Sequence, residues 1–118
     1  MSLKLTFAVV ALSFSCLQPT VFGQTARIAA ETTQSIKKQE NEMSALCSKI
    51  KKKMRAPEAA QFDKVQRAWL AFRDLELAFY EGNQTRFAGS QNLPLFVHES
   101  LLAERIKQLK EMLESWEG

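Results

Sequence analysis

Hydrophobic residues recur with the period of an α-helix from residue 36 onward. The first set has spacings of seven, three, four and four residues and comprises Ile36, Met43, Leu46, Ile50 and Met54. Residues at these spacings share one helix face, which Gln39 interrupts at one position. Because the residue before a proline avoids the helical conformation, Pro57 predicts that this helix ends near Arg55. Residues 24–35 are polar and alanine-rich without a sustained apolar face, so their conformation stays open.

A second helix is predicted to begin at Pro57, which suits a first turn because its missing N–H would have no partner there. The negative charge of Glu58 favours the same end. The apolar face then contains Phe62, Val65, Ala68, Trp69, Phe72, Leu75 and Phe79. We expect the helix to stop by Gly82, since glycine is common at helix C-termini.

The remaining chain predicts a loop and a third helix. Residues 82–92 are rich in Gly, Asn, Gln, Thr and Ser, which is typical of a loop. Pro94 opens the last helix by the same argument as Pro57. Its apolar face contains Leu95, Leu102, Ile106, Leu109, Met112, Leu113 and Trp116. Three amphipathic helices with short connections, and no segment with the alternation of a strand, predict an all-α fold, a small antiparallel three-helix bundle.

The first 23 residues have the pattern of a secretory signal peptide. Lys4 gives a positive start, residues 5–12 form an apolar run, and Val21 and Gly23 fit a cleavage site before Gln24. The run is too short to cross a bilayer, which takes about 20 apolar residues. We therefore predict a signal peptide at 1–23, a helical domain at 24–118, no transmembrane span, and a periplasmic or secreted location. The alternative is that the segment forms a buried first helix.

The two cysteines of the chain leave alternatives open. Ser15 and Cys16 resemble the end of a lipoprotein signal, but Ser13 and Phe14 fit that pattern poorly. A lipid anchor at Cys16 is therefore the less favoured location. If cleavage removes Cys16, Cys47 is left alone and cannot form a disulfide within the chain. Cys47 is then either a small buried hydrophobic residue or one half of an intermolecular bridge.

The charge of the chain argues against a nucleic-acid partner. The 118 residues include 16 Lys and Arg and 13 Asp and Glu, for a formal net charge of +3. Loss of the predicted leader, whose only charged residue is Lys4, lowers that charge by one. A nucleic-acid footprint needs a concentrated basic face. The one dense basic cluster comprises Lys49, Lys51, Lys52, Lys53 and Arg55. It lies at a predicted helix C-terminus, where the helix dipole favours cations; weak binding to an anionic membrane surface is the alternative.

The inventory of reactive side chains argues against an enzyme. The chain has one histidine, His98, and no carboxylate group with metal-ligand spacing. A zinc site needs three or four protein ligands, and the neighbours His98 and Glu99 point about 100° apart on a helix. No phosphate-binding glycine loop or nucleophile elbow is present. We therefore predict no catalytic residue, no cofactor and no metal.

The most informative stretch runs from Val65 to Asp74. Gln66, Trp69 and Arg73 stand at i, i+3 and i+7, so they share one helix face. A polar pair on either side of a large aromatic residue suggests that Gln66 and Arg73 reach across to another helix. Candidate acceptors are backbone carbonyls and Glu40, Glu42 or Glu104. The alternatives are side chains that extend to water and direct contact with a partner.

This stretch resembles the signature of the LprI-like N-terminal domains of bacterial envelope proteins, with valine in place of an alanine at Val65. A second element of that family resembles residues 101–105 together with Leu109, although Leu102 replaces a threonine. The resemblance covers about residues 36–113 and implies a helical envelope domain. The positions that match its motifs, to which we assign a structural role, are Gln66, Trp69, Arg73, Asp74 and Arg105.

The resemblance implies a non-catalytic module that binds a protein of the cell envelope, with lysozyme as the suggested partner. Animal-type lysozymes are strongly basic, so a net positive inhibitor would need a locally acidic surface. Glu76, Glu81 and Glu99 lie around the predicted second loop and are the candidate partner-binding residues. The competing interpretation is a structural or adaptor module that pairs with another envelope protein or with an anionic membrane.

Overall fold

The computed structural model contains three helices, α1 (Ser2–Lys52), α2 (Ala56–Gly82) and α3 (Leu93–Glu117). It describes residues 2–83, 86 and 92–117, with side chains from Gly23 onward. The chain divides into two compact units, Met1–Glu31 and Thr32–Gly118. The side chains of the predicted leader, including Cys16, lie outside the described residues, so the leader and its cleavage stay predictions. In the described part of the chain, no helix combines the length and the apolar character that crossing a membrane requires.

The second unit is the three-helix bundle that the sequence predicts. Contacts between Lys51 and Asp63 and between Glu40 and Arg73 show that α1 and α2 run antiparallel. The contact between Lys53 and Glu117 joins the C-terminal ends of α1 and α3, so these two helices run in the same direction. The described residues of this unit contain helices and turns and no strand.

The core is built from the predicted faces of α1 and α3. Its buried side chains are Ile36, Met43, Leu46 and Ile50 from α1, Phe62 from α2, and Leu102, Ile106 and Leu109 from α3. Leu95, Met112 and Leu113 pack against this cluster as predicted, while Trp116 of the same predicted face is exposed. Gln39, which interrupts the α1 face, is half-buried and donates from Nε2 to the backbone carbonyl of Glu99, 3.4 Å away.

The helix ends lie close to the predicted ones and show why the chain turns there. α1 ends at Lys52, and Arg55 precedes α2 as its N-cap. The Arg55 backbone N–H donates to Glu58 Oε1 at 3.3 Å, which gives an otherwise unpaired N–H a partner. Gly82 is the last residue of α2, and the C-cap is Asn83, whose Nδ2 donates to the Phe79 carbonyl at 2.8 Å.

The prediction for the apolar face of α2 was wrong for most of its length. Phe62 is buried and Trp69 packs against the core, but Val65, Phe72 and Phe79 are exposed. The predicted face spans more than a third of the helix circumference, and two neighbouring helices cover only the side that faces them. The spacing of hydrophobic residues defines an apolar face of a helix but does not show which part of that face another helix covers.

Candidate functional site

The two sequence motifs meet inside the bundle. Arg105 of α3 is 7% exposed, and its guanidinium reaches Gln66 of α2. The Nε and Nη2 atoms of Arg105 donate to Gln66 Oε1 at 3.1 and 2.9 Å. Nη1 donates to Gln108 Oε1 at 3.1 Å, one turn further along α3. Two amide oxygens therefore accept three hydrogen bonds from one buried cation.

Two guanidinium groups lie close to the ring of Trp69. The Cζ atom of Arg73 is 5.8 Å from the ring centroid of Trp69, and that of Arg105 is 5.9 Å away. Both distances fall within the range of about 6 Å at which an aromatic face attracts a cation. One aromatic side chain thus contacts a cation from α3 and another from its own helix.

The same residues also contact α1. Gln66 Nε2 lies 3.4 Å from the Met43 sulfur and donates to it. Arg73 Nη1 donates to Glu40 Oε1 at 3.4 Å, and Glu40 is one of the three acceptors named from the sequence. Arg73 Nη2 also pairs with Asp74 at 3.1 Å, although the Asp74 side chain is largely exposed. We call Gln66, Trp69, Arg73 and Arg105 the motif cluster, and it links all three helices.

The electrostatics of Arg105 depend on amide partners. Within residues 23–83, 86 and 92–117, no carboxylate lies within ion-pair distance of Arg105. Burial lowers the pKa of the Arg105 guanidinium from its ordinary value. A buried charge is tolerated only where hydrogen bonds replace its lost hydration. Gln66 and Gln108 supply those hydrogen bonds, so loss of either amide would leave part of a buried cation without partners.

A histidine lies beside the motif cluster. The Nε2 atom of His98 is buried, 3.5 Å from Glu40 Oε1, without a hydrogen bond to any described residue. Burial lowers the pKa of His98, the charge of Arg73 lowers it further, and the carboxylates of Glu40 and Asp74 oppose the shift. His98 is therefore held neutral at pH values where an exposed histidine gains a proton.

This shift predicts a loss of stability in mild acid. The unfolded chain protonates His98 at its ordinary pKa of about 6.5, while the folded protein protonates it only at lower pH. Since the unfolded state then binds more protons, the contribution of His98 is present above about pH 6.5 and is lost as the pH falls below it. We expect the urea midpoint to fall between about pH 7.5 and about pH 5, and to fall less in His98→Gln. Equal falls in both proteins would contradict this assignment.

The three glutamates proposed for partner binding lie on different faces. Glu76 and Glu81 are five residues apart on α2, so their side chains point about 140° apart. Glu99 lies on α3, and its backbone carbonyl accepts Gln39 of α1. Glu76 alone of the three lines the groove between α2 and α3, where Glu104 joins it.

The lining of this groove is mostly apolar and includes two carboxylates. Its volume is about 330 Å³, and its lining comprises Glu76, Tyr80, Leu93, Phe96, Val97, Ser100, Leu101 and Glu104. Leu93 and Phe96 belong to the first turn of α3, so the groove opens beside the connection between the two helices. The arrangement suits a partner that presents a basic side chain beside an apolar one. We call this surface the acidic groove.

Ion pairs occupy part of the basic cluster at the end of α1. Lys51 pairs with Asp63 at 3.1 Å, Lys53 with Glu117 at 3.7 Å, and Arg55 with Glu58 at 2.8 Å. Lys49, Lys51 and Lys52 occupy the last turn of α1, as the helix-dipole argument expects. Pairing with acidic side chains lowers the positive potential that this end offers to an anionic surface.

The surroundings of Cys47 fit a structural role, and no metal site is found among the described residues. Cys47 is half-buried against the core, and burial raises the pKa of its thiol, although nearby Arg105 and Lys51 act in the opposite direction. A thiol with a raised pKa is a poor nucleophile near neutral pH. The described residues contain no cluster of three His, Cys, Asp or Glu side chains that could hold a metal ion.

Comparison with known proteins identifies the family. A family model described as lysozyme inhibitor LprI matches residues 16–113, which is most of the chain. The chain belongs to the lysozyme inhibitor LprI family. The resemblance seen in the sequence motifs is therefore confirmed. No curated protein and no solved structure matches the chain.

Two further residues complete these sites: the sequence did not indicate Gln108, and it suggested Glu104 only as an acceptor for Gln66 or Arg73. Gln108 shares the Arg105 guanidinium with Gln66, and Glu104 joins Glu76 in the acidic groove. The contact of Gln108 follows from α3 geometry, since residues three or four apart share a face. The spacing of Gln108 from Arg105 could have suggested their contact. Only the packing of α3 on α2 brings Glu104 beside Glu76.

Proposed function

We propose that this LprI-family protein is a non-catalytic binding module of the cell envelope, periplasmic or secreted, that binds and inhibits a lysozyme. The observation that carries the proposal is the family match over residues 16–113. The inhibitor role needs a complementary surface and no catalytic group. A chain with one histidine and two cysteines fits that role.

In this proposal the motif cluster has a structural role. Arg105 is buried, and its partner Gln66 also contacts α1, so these groups offer little surface to a protein partner. Side chains that carry the energy of a protein interface lie at the surface of the free protein and become buried on binding. The surface that binds the partner therefore lies elsewhere on the bundle.

We assign partner binding to the acidic groove. Animal-type lysozymes are basic, and this chain also has a positive formal net charge, +3. Binding then requires a local acidic surface that attracts the partner despite the net charge. Glu76 and Glu104 provide two carboxylates in a groove that leucine, valine and aromatic side chains also line. Glu81 and Glu99, which lie on other faces, are less central to this surface.

The test is binding to, and inhibition of, a basic animal-type lysozyme at low ionic strength. We expect the wild-type protein to slow the lysis of a bacterial cell-wall suspension and to bind the enzyme in calorimetric titration. Replacing both groove carboxylates, Glu76→Gln with Glu104→Gln, should weaken binding at least about tenfold, which corresponds to about 1.4 kcal/mol. Raising the salt concentration should also weaken wild-type binding, since salt screens exposed charges.

A matched control removes the same charge from another part of α3. Glu111 and Glu114 are exposed and do not line the acidic groove, so Glu111→Gln with Glu114→Gln should leave binding within about twofold. Absence of both binding and inhibition by the wild-type protein would overturn the proposed function. Equal weakening by both double variants would keep the function and overturn the groove as its site.

A second candidate function is an adaptor that pairs with another envelope protein. The observation in its favour is the exposed apolar surface of α2, which includes Val65, Phe72, Leu75 and Phe79. Binding to an anionic membrane is the weaker alternative, because Lys51, Lys53 and Arg55 already contact carboxylates.

A further inference from the structure

One side of α2 carries apolar residues from Val65 to Phe79 and faces solvent. Its members lie within an arc of about 140° around the helix. They are Val65, Ala68, Ala71, Phe72, Leu75, Ala78 and Phe79, and all seven are exposed. We call this surface the α2 apolar face. It lies beside the core-facing side of α2, which carries Phe62 and Trp69.

The exposure of the larger side chains is high for apolar groups. Leu75 is 74% exposed, Phe79 55%, Val65 46% and Phe72 44%. A single exposed leucine is ordinary, but a contiguous patch of this kind marks an interaction surface. The face is about 21 Å long, since it covers four turns of helix at about 1.5 Å per residue.

The shape of the face suits a second helix. Ala68, Ala71 and Ala78 alternate with the larger Phe72 and Leu75, so the surface has shallow positions between ridges. Side chains of one helix pack between those of another, and small residues allow the two axes to approach closely. A helix with the same alternation of small and large residues is complementary to it.

The charges along one edge of the face point to the identity and direction of that helix. Arg67 flanks its first half, and Asp74 and Glu81 flank its second half. In an antiparallel pair of identical helices centred near Ala71, this edge of one copy faces the same edge of the other, so the basic half of each edge faces the acidic half of the other. Asp74, which also accepts Arg73, remains 68% exposed and can contact a second cation.

We propose that the α2 apolar face binds the same face of a second copy of this chain, with the two α2 helices antiparallel about a two-fold axis. In such an isologous pair, Arg67 of each copy faces Asp74 of the other, and each contact occurs twice. This inference goes beyond the proposed function and does not rest on it. The acidic groove lies on the α3 side of α2, so a dimer carries two grooves.

Sedimentation equilibrium tests the inference directly. We would measure the protein as purified from the expressing cells, at protein concentrations from about 1 μM to about 1 mM. A single helix face is smaller than the about 800 Å² per partner of a standard interface, so we expect a monomer–dimer equilibrium within this range. The variant Leu75→Glu should raise the dissociation constant at least about tenfold, because it places a charge at the centre of the face. The control Trp116→Glu, which changes an exposed apolar residue outside the face, should leave the constant unchanged.

A charge exchange tests the direction of the pair. Arg67→Glu alone should raise the dissociation constant severalfold, because the carboxylate that it introduces in one copy then faces Asp74 of the other. Combining it with Asp74→Arg should restore most of the dimer, because the opposite charges face each other again. A helical circular dichroism spectrum like that of the wild type shows that each variant is folded. A change in the dissociation constant then reports association and not unfolding. A wild-type protein that remains monomeric throughout, or a dimer that Leu75→Glu leaves intact, would overturn the inference.

Discussion

Replacing Leu102 by alanine is expected to lower the free energy of unfolding by about 3 to 4 kcal/mol. Leu102 is 0% exposed and lies in the core between the faces of α1 and α2. The variant loses the burial of the missing methyl and methylene groups and leaves a cavity that the surrounding helices fill only in part. Urea denaturation followed by circular dichroism at 222 nm gives the difference, at about 5 μM protein, which keeps association low.

The same measurement on Leu75→Ala provides the control. Leu75 lies on α2 and is 74% exposed, so its truncation should change the free energy of unfolding by no more than about 0.5 kcal/mol. A domain of this size has a total stability of about 5 to 15 kcal/mol, so the loss at Leu102 is a large fraction of it. Similar losses in the two variants would contradict the core described above.

The second large effect is expected from Gln66→Leu. Leucine preserves the approximate volume of glutamine but cannot accept the two hydrogen bonds from the Arg105 guanidinium. Because hydrogen bonds to charged groups contribute about 1.5–3 kcal/mol, we expect a loss of about 2 to 3 kcal/mol in urea denaturation. Gln61→Leu makes the same chemical change at an exposed position of α2 and should cost less than about 0.5 kcal/mol.

These variants also separate a structural motif from a binding motif. If Gln66 acts through Arg105 within the bundle, Gln66→Leu should lower stability and leave lysozyme affinity unchanged wherever the variant is folded. A variant that keeps its stability but loses lysozyme binding would place the motif in the binding surface instead. The acidic groove variants should show the reverse pattern, with affinity lost and the urea midpoint retained.

Much of the fold could be predicted from the spacing of apolar residues. Ile36, Met43, Leu46 and Ile50 are buried where their period placed them, because α1 has one narrow apolar face and two neighbours to cover it. Pro57 and Pro94 marked two helix starts because proline fits a first turn and no later position. These signals come from residues that are close in the sequence. They predict the buried side correctly when a helix has only one face that can be buried.

The α2 face and the binding groove could not be predicted in this way. From the sequence alone, the whole wide apolar surface of α2 is predicted to be buried. Only the positions of α1 and α3 show which side of the helix is covered. Glu76, Glu81 and Glu99 lie near one loop in the sequence, but helical rotation separates them, and Glu104 joins Glu76 through tertiary packing. The contact between Gln66 and Arg105 joins residues 39 apart. The sequence named both as motif positions without indicating that they touch.

A double-mutant cycle between Gln66 and Arg105 tests most directly whether the family motif braces the bundle. The cycle compares the unfolding free energies of the wild type, Gln66→Leu, Arg105→Met and the double variant. We predict that the double variant loses less stability than the two single losses combined, with a coupling of about 1 to 3 kcal/mol, because removing both partners leaves no buried group without a hydrogen bond. Losses that add within about 0.3–0.5 kcal/mol would show that the two residues act independently and would contradict the account.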